Sequence, residues 1–239
     1  MSDDPLVVAF SGGKDSTSMA LRLAENGEEF RLLHTPTGNE LPEMREHLER
    51  VVKMTGAQLI IPPGPSLDDL IHEQNCLPNW RMRWCTRMLK IEPCEEWLRT
   101  EMEADRYPTL AIGLRSDEPG RMGGRYPPEI GIRFPLREWH WGIEEVLAYC
   151  RERGVTIPRR TDCAVCFYQR LWEWYVLWMD YPEEWAQAVA YEDETGHTFR
   201  SPTKDNHPAS LRDLGAKFAA GFVPRTRGPR KQMCRICAM

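Results

Sequence analysis

Short apolar segments alternate with amphipathic segments along the first two thirds of the chain. Five apolar segments predict β-strands: Leu6–Phe10, Phe30–His34, Ala57–Ile61, Thr109–Gly113 and Ile130–Leu136. Apolar residues recur at helical spacing between these segments, which predicts helices over Thr17–Asn26, Leu41–Thr55, Ile91–Ala104 and Ile143–Arg153. The first strand is apolar throughout, as expected for a strand buried on both faces of a parallel sheet. The alternation predicts an α/β fold with a doubly wound parallel sheet, whose ligands bind at the carboxyl ends of the strands.

The pattern changes in the last third of the chain, where Leu171–Ala190 predicts one long helix rich in Trp. Trp174 and Trp178 are four residues apart, so they share a helix face. We favour packing inside a second lobe over an aromatic platform for bases, because large aromatic side chains most often supply core area. The sequence therefore predicts a first domain over residues 1–155 and a mostly helical, Cys-containing lobe over residues 156–239.

Composition and charge limit the class of protein. The 239 residues are 41% hydrophobic and 28% charged, which allows a sizeable core and a polar surface. No apolar run approaches the roughly 20 residues that cross a bilayer, and the acidic start lacks the basic region of a signal peptide. We expect a cytoplasmic protein with no membrane partner.

The net charge of −5 is unevenly distributed. Residues 1–80 carry 6 Lys/Arg against 13 Asp/Glu, whereas the C-terminal tail is basic and has no acidic residue among its cations. These cations are Arg225, Arg227, Arg230, Lys231 and Arg235. Such a tail can bind nucleic acid, and a solvated terminus explains its charge equally well.

A glycine-containing loop joins the first predicted strand to the first predicted helix, and reads Ser11-Gly12-Gly13-Lys14-Asp15-Ser16. Glycines allow a tight turn that brings backbone N–H groups to phosphate oxygens, and the helix start adds the positive end of its dipole. The lysine can offset phosphate charge, the serine hydroxyls can donate hydrogen bonds, and the aspartate can help to hold Mg²⁺. The spacing fits neither the Walker A loop nor the dinucleotide fingerprint.

This loop resembles the PP-loop of the N-type ATP pyrophosphatase superfamily. Further segments resemble the branch that contains PAPS/APS reductases, the ATP sulfurylase small subunit and the DNA phosphorothioation protein. They are Thr37–Met44 (the Asp-Thr-Gly…Pro-Glu segment), Trp84–Pro93 (Cys…Lys-x-x-Pro), Gly113–Arg121 (Gly-x-Arg-x-x-Glu-x-x-Arg) and Pro135–Trp141 (Pro-Leu…Trp). The resemblance covers about residues 5–170 in the expected order.

The resemblance implies an adenine nucleotide α-hydrolase-like fold in which residues 1–155 bind ATP, or APS/PAPS, with Mg²⁺. Thr35 to Glu40, including Gly38, would border the adenosine. Arg115 and Arg121 would bind a phosphate or sulfate group, for which guanidinium forks are suited. Salt bridges to Asp117 or Glu118 are the alternative role of these arginines. Catalysis is assigned to Lys14, Asp15 and Arg115.

The eight cysteines include two pairs with metal-ligand spacing, Cys163/Cys166 and Cys234/Cys237. In a reducing compartment, metal or redox chemistry is favoured over disulfides. A structural Zn²⁺ would take both pairs. A four-iron–four-sulfur (4Fe-4S) cluster would take Cys85, the first pair and one thiol of the second.

The family resemblance favours the cluster, because cluster-bearing members combine a Cys at the Lys-x-x-Pro segment with a later Cys-x-x-Cys. Cys85, Cys163, Cys166 and Cys234 are the predicted ligands, and Cys237 is the spare catalytic thiol. Two features depart from the family. Trp84 stands where APS reductases have a second Cys, and their C-terminal Glu-Cys-Gly-Leu-His segment is absent.

These features predict an ATP-using enzyme that activates an acceptor as its adenylate for sulfur transfer, with a sulfur donor protein and nucleic acid as partners. One alternative is a sulfonucleotide reductase that releases sulfite from APS or PAPS. Another is a metal-stapled nucleic-acid-binding module without turnover.

Overall fold

The computed structural model describes residues 5–124 and 126–225, and its centre is a five-stranded parallel sheet. The strands are β1 (Leu6–Ala9), β2 (Phe30–Leu33), β3 (Gln58–Ile60), β4 (Thr109–Ala111) and β5 (Gly131–Arg133). Their order is β3-β2-β1-β4-β5, and Val8 at the centre pairs with Leu32 on one side and Ala111 on the other. The predicted α/β fold with a parallel sheet is confirmed.

The helices connect these strands and continue beyond them. They are α1 (Lys14–Glu25), α2 (Pro42–Thr55), α3 (Leu67–Gln74), α4 (Trp84–Thr86), α5 (Glu92–Glu103), α6 (Pro135–Glu138), α7 (Ile143–Glu152), α8 (Leu171–Asp180), α9 (Pro182–Thr195) and α10 (Leu211–Ala219). A π-helical turn, Arg87–Ile91, joins α4 to α5. None of the helices in the described part of the chain is long and apolar enough to cross a bilayer.

Apolar side chains cover both faces of the sheet. On one face Val8 packs in a cluster with Met19 and Leu23 of α1. On the other face Val7 packs in a cluster with Leu98 of α5. Val7 and Val8 are both fully buried, which explains why β1 is apolar at successive positions.

The strand order places two loops side by side. From β1 the chain moves outward to β2 and β3, and then returns to the other side of β1 as β4. The loops that follow β1 and β4 therefore leave neighbouring strands at the same edge of the sheet. In open α/β sheets this reversal of strand order is where ligands bind.

The C-terminal region contains α8, α9 and α10, which pack together. The predicted single helix over Leu171–Ala190 is wrong, because it is interrupted at Tyr181. Tyr181 has φ −135° and ψ 69°, and Pro182 begins α9. A residue that precedes proline is disfavoured in the α conformation, whereas proline fits the first turn of a helix.

Trp174 and Trp178 of α8 pack in the core of this region. Trp174 is fully buried, and its ring centroid lies 6.4 Å from that of Trp185 and 5.9 Å from that of Phe199. Trp178 packs against Phe218 at 5.6 Å. The prediction that these aromatics supply core area is confirmed. The same apolar cluster includes residues of α3, so the helical region packs onto the first part of the chain; the boundary at residue 155 stays a prediction.

Several elements differ from the sequence expectations. Helix α1 begins at Lys14, three residues before the predicted start, because its first turn is polar and gives no apolar signal. The fifth strand is shorter than predicted, since Pro135 begins α6. The elements α3 and α10 were not predicted. Each is preceded by an N-cap serine, Ser66 and Ser210 respectively, whose hydroxyl accepts a hydrogen bond from a backbone N–H of the first turn.

Glu192 of α9 is a buried carboxylate that joins α9 to the following chain. It accepts hydrogen bonds from the backbone N–H of Phe199 (2.9 Å) and of Leu211 (2.6 Å). Burial raises the pKa of Glu192 to about 7, although these bonds and the charge of Arg200 oppose the change. The folded chain therefore holds this proton more tightly than the unfolded chain does. The contribution to stability is complete below the ordinary pKa of 4.5 and is lost as the pH rises to about 7.

We predict that Glu192→Gln flattens the pH dependence of stability. Relative to this variant, the wild-type free energy of unfolding should fall by about 3 kcal/mol between pH 4.5 and pH 7, at about 1.4 kcal/mol per pKa unit. Urea denaturation across this range measures the difference. Glu183→Gln, on the exposed side of α9, is the control and should keep the wild-type slope. Equal slopes in wild type and Glu192→Gln would contradict the prediction.

Candidate functional site

The loop Ser11–Ser16 follows β1, and its last three residues form the first turn of α1. The Ser16 hydroxyl closes this loop: its Oγ lies 3.3 Å from Ser11 N, 3.2 Å from Ser11 Oγ and 3.1 Å from Gly13 O. No side chain caps the N-terminus of α1. The helix therefore directs its first backbone N–H groups and the positive end of its dipole at the loop, an arrangement suited to phosphate.

Two glycines allow the loop to pack closely against its surroundings. Gly12 has φ +70°, and a Cβ at this position would lie 1.8 Å from Met44 Cε of α2. A Cβ on Gly113, which follows β4, would lie 3.3 Å from backbone atoms of Asp15 and Ser16. The loop thus fits between α2 and the segment after β4 only where side chains are absent.

A buried ion pair joins the loop after β1 to the loop after β4. Arg115 Nη1 lies 3.1 and 3.0 Å from the two carboxylate oxygens of Asp15, and Lys14 Nζ lies 2.9 Å from Asp15 Oδ2. Arg115 is 3% exposed and Asp15 is 6% exposed. Of the residues that were assigned to catalysis from the sequence, Lys14, Asp15 and Arg115 lie in the described part of the chain, and the structure brings these three side chains together.

Arg115 and Arg121 contact further carboxylates. Arg115 Nε lies 2.8 Å from Asp117 Oδ1, and its Nη2 lies 3.2 Å from Glu118 Oε1. Arg121 Nη1 lies 2.9 Å from Glu118 Oε2. The ion pairs considered as the alternative role of these arginines are therefore present. Binding of phosphate or sulfate by Arg115 and Arg121 stays a prediction.

The electrostatics of this cluster favour the charged forms of Arg115 and Asp117. Burial by itself would lower the pKa of Arg115, but the charges of Asp15 and Glu118 outweigh it and raise the pKa. Burial opposes the ionisation of Asp117, yet the backbone N–H of Ile143 and the Arg115 guanidinium lower its pKa. Three cationic side chains thus face three carboxylates in a mostly buried cluster.

Arg137 supports the loop after β4 and was not assigned from the sequence. Its Nη2 donates to the carbonyl oxygens of Glu118 and Arg121, both at 2.7 Å, and its Nε donates to Arg115 O at 3.3 Å. A single guanidinium thus holds the backbone at three points of the loop. The sequence signal that could have pointed to Arg137 is its position within the family-like segment Pro135–Trp141.

His47 of α2 contacts the first turns of α1 and was assigned no role from the sequence. It is 1% exposed, its Nε2 lies 3.0 Å from Thr17 Oγ1, and its ring stacks on Phe10 with a centroid distance of 6.5 Å. Burial, and then the charge of Arg50, lower the pKa of His47 to about 4. The imidazole is therefore neutral at physiological pH.

The segment after β2 was predicted to border the adenosine. Glu40 Oε1 accepts hydrogen bonds from Thr37 N and Thr37 Oγ1, both at 2.6 Å, which shapes this turn. Gly38 has φ +75° and packs against Ser66. Thr35 precedes the turn and is partly buried. Contact of Thr35 and Gly38 with a nucleotide stays a prediction.

Asn39 connects this turn to the Cys163/Cys166 pair. Asn39 O accepts a hydrogen bond from Ala164 N at 2.6 Å, and Asn39 Oδ1 accepts one from Val165 N at 3.3 Å. The side chain is 8% exposed. Asn39 lies within the segment Thr37–Met44, but its own role could not be predicted from the sequence, because Ala164 and Val165 are distant from it along the chain.

Three of the predicted metal ligands line one pocket. Cys85, Cys163 and Cys166 border an open pocket of about 560 Å³, a volume that includes the solvent at its mouth, together with Thr37 and Lys90. Within residues 5–124 and 126–225, no three His, Cys, Asp or Glu side chains are grouped closely enough to hold a single metal ion. Cys234 and Cys237 lie outside the described residues, as do the last four cations of the basic tail.

The thiols of this pocket interact. The hydrogen bond from the Cys163 S–H to Cys166 raises the pKa of Cys163, and burial raises it further. The same hydrogen bond lowers the pKa of Cys166 to about 7, although burial of this thiol opposes the change. Burial and the nearby Cys166 raise the pKa of Cys85. By contrast, Cys94 and Cys150 lie on α5 and α7, where burial raises the pKa of each thiol to about 11, as in inert structural cysteines.

A parallel sheet with a glycine-containing phosphate loop at the reversal of strand order defines a nucleotide-binding α/β protein of the PP-loop class. Residues 5–159 match the family model of the phosphoadenosine phosphosulfate reductase domain. The chain belongs to this family.

Comparison with known proteins gives relatives of the same superfamily. An uncharacterized protein of Methanocaldococcus jannaschii is 31% identical over 115 residues, which cover 48% of this chain and 23% of that protein. Argininosuccinate synthase of Streptococcus uberis is 42% identical over 45 residues, which cover 19% of this chain and 11% of the synthase. The chain therefore matches less than a quarter of the length of either relative.

Among solved structures, phosphoadenylyl-sulfate (PAPS) reductase from Candida auris, in a phosphate complex, has a similar fold. The TM-score is 0.50 at 16% identity, and the similar region covers 65% of this chain and 76% of that chain. At this identity the similarity shows the fold alone.

We predict that Gly113→Ala weakens ATP binding about tenfold, because the added methyl forces a shift of the Asp15–Ser16 backbone at a cost of about 1–3 kcal/mol. Isothermal titration calorimetry with Mg²⁺-ATP measures the effect. Gly120→Ala is the control, because a Cβ at Gly120 would meet open space. Unchanged affinity in Gly113→Ala would show that the nucleotide does not depend on this part of the loop.

Proposed function

We propose that this PP-loop protein is an ATP-dependent enzyme that activates an acceptor as its adenylate for sulfur transfer. The observation that carries the proposal is the loop Ser11–Ser16 at the uncapped N-terminus of α1, joined through Asp15 to Arg115 of the neighbouring loop. The family membership supports an adenine nucleotide as the ligand.

The proposed reaction has two steps. An acceptor oxygen attacks the α-phosphorus of ATP, the bond to the β-phosphate oxygen breaks, and pyrophosphate leaves with its electron pair. A sulfur nucleophile, delivered as hydrosulfide by a donor protein, then attacks the activated carbon or phosphorus of the acceptor. The bond to the AMP oxygen breaks, AMP leaves, and the acceptor keeps sulfur in place of oxygen.

The residues of the loop serve these steps by positioning and by electrostatic stabilisation. Lys14 and the first N–H groups of α1 would hold the β- and γ-phosphates while negative charge grows on the leaving pyrophosphate. Asp15 would help to hold Mg²⁺, and Arg115 keeps this carboxylate in place. Arg121 would add positive charge on the acceptor side of the same cluster.

Cys85, Cys163 and Cys166 line one cavity, which we call the thiol pocket, and this supports a 4Fe-4S cluster that would take them as three of its four ligands. Cys234 would supply the fourth thiolate, which leaves Cys237 as the spare nucleophile; a Zn²⁺ site on the two Cys pairs is the alternative. When bound, a cluster supplies one-electron redox chemistry beside the nucleotide site.

Sulfonucleotide reduction is the second candidate function, and the family match favours it. In this reaction the Cys237 thiolate would attack the sulfur of APS or PAPS, and the nucleotide would leave as the adenosine phosphate. A thiol of an external dithiol would then attack the Cys237 sulfur, which releases sulfite and leaves a mixed disulfide. The second thiol of the dithiol would attack this bond, which restores the Cys237 thiol and leaves the dithiol as an intramolecular disulfide.

We predict that the protein releases pyrophosphate from ATP in the presence of a sulfide source and oligonucleotide acceptors. Lys14→Ala should lower kcat/KM about 100-fold, because a group that stabilises charge in the transition state is removed. Lys53→Ala, at the exposed end of α2, is the matched control and should retain activity. Release of sulfite from APS or PAPS, without pyrophosphate from ATP, would establish the reductase instead.

We also predict that protein purified without oxygen contains iron and acid-labile sulfide. Cys163→Ser should lose most of both, whereas Cys94→Ser, on α5, should keep them. Metal analysis and visible absorption measure the outcome. Zinc without iron or sulfide would contradict the cluster.

A further inference from the structure

An acid-free cationic segment borders the thiol pocket. Between Glu73 and Glu92 the chain has four cationic side chains, two Trp and no acidic residue, although residues 1–80 as a whole are acidic. The local charge is therefore opposite to that of the surrounding sequence. Within this segment, residues 79–83 form an exposed turn that we call the Trp80 tip.

The Trp80 tip is held in a defined conformation. Asn79 Oδ1 accepts hydrogen bonds from Arg81 N at 2.9 Å and from Met82 N at 3.0 Å, and Asn79 N donates to Met82 O at 3.2 Å. Trp80 is 61% exposed and Met82 is 52% exposed. The turn thus presents a large aromatic surface to solvent at little cost in conformational entropy on binding.

Cationic groups lie next to this aromatic surface. The Arg81 guanidinium carbon lies 4.7 Å from the centroid of the Trp80 ring. Arg83 follows two residues later and lines the thiol pocket, where its guanidinium carbon lies 5.7 Å from the Tyr168 ring. Asp162 is the one acidic residue among the described residues that line this pocket.

We propose that the Trp80 tip binds single-stranded nucleic acid and guides it to the thiol pocket. A base would stack on Trp80, and Arg81 and Arg83 would neutralise the adjoining phosphates. An acidic polypeptide would satisfy the charges but has no bases to cover the exposed indole, so the combination favours a polynucleotide. The proposal rests on the proposed function, because it identifies the acceptor as a polynucleotide.

The test measures binding of the full-length chain to a short labelled oligouridylate and to the matched oligothymidylate by fluorescence anisotropy, without ATP. Trp80→Ala should weaken binding roughly tenfold, the loss expected for one stacked base, and Trp80→Phe should restore most of it. Arg81→Ala should reduce the slope of log affinity against log salt by about one. Arg212→Ala, an exposed arginine of α10, is the control and should bind as wild type does.

Comparison of the two oligonucleotides tells RNA from DNA, and preference for either supports the proposal. Equal affinity of wild type, Trp80→Ala and Arg81→Ala would overturn it. So would loss of binding only in the tail variant Arg227→Ala/Arg230→Ala/Lys231→Ala, or polyglutamate that binds as tightly as the oligonucleotides. Binding is measured without ATP, so the two proposals can fail separately. Pyrophosphate release without binding at the Trp80 tip would refute this proposal alone, and binding without pyrophosphate release would refute the proposed function alone.

Discussion

The buried ion pair between Asp15 and Arg115 is the interaction on which the site depends. It joins the loop after β1, which contains Asp15, to the loop after β4, which contains Arg115. These two loops leave neighbouring parallel strands and are held together by the pair. Breaking a buried pair by removing one partner leaves an uncompensated charge, which is strongly destabilising. Lys14 forms a further ion pair with Asp15, and Asp117 and Glu118 form further ion pairs with Arg115. Arg137 holds the backbone of the loop after β4 through its hydrogen bonds to the Glu118 and Arg121 carbonyl oxygens. The side chains and backbone of the site are therefore held by one another without a ligand, which favours catalysis by positioning.

The turn after β2 joins the segment that the family resemblance assigns to adenosine to the thiol pocket. Asn39 of this turn accepts hydrogen bonds from the backbone N–H groups of Ala164 and Val165, which lie between Cys163 and Cys166. Thr37 of the same turn lines the thiol pocket. A change in the position of the turn on nucleotide binding would reach the thiols directly, through hydrogen bonds rather than through a long path of packed side chains.

The sheet and the phosphate loop could be predicted because their signals are local: apolar runs of strand length, and glycines between a strand and a helix. Contacts of Asn39, His47 and Arg137 could not, since each depends on segments that are distant in sequence and meet only in the fold. The interruption of the Trp-rich helix had a visible signal in Pro182, but the apolar spacing on either side of it concealed the break. The early start of α1 gave no signal, because the residues of its first turn are polar.

The π-helical turn Arg87–Ile91 has a consequence for the spacing of the family motif. An α-helix rotates about 100° per residue, and a π turn contains one residue more than an α turn. Cys85 lies before this turn, whereas Leu98 lies after it and packs on the sheet. Deletion of one residue from the turn would restore an ordinary α turn and leave both Cys85 and Leu98 on the faces that they now occupy, because the π turn absorbs the extra residue. A relative with one residue fewer between the thiol and Pro93 would thus present the same side chains to the pocket and to the sheet.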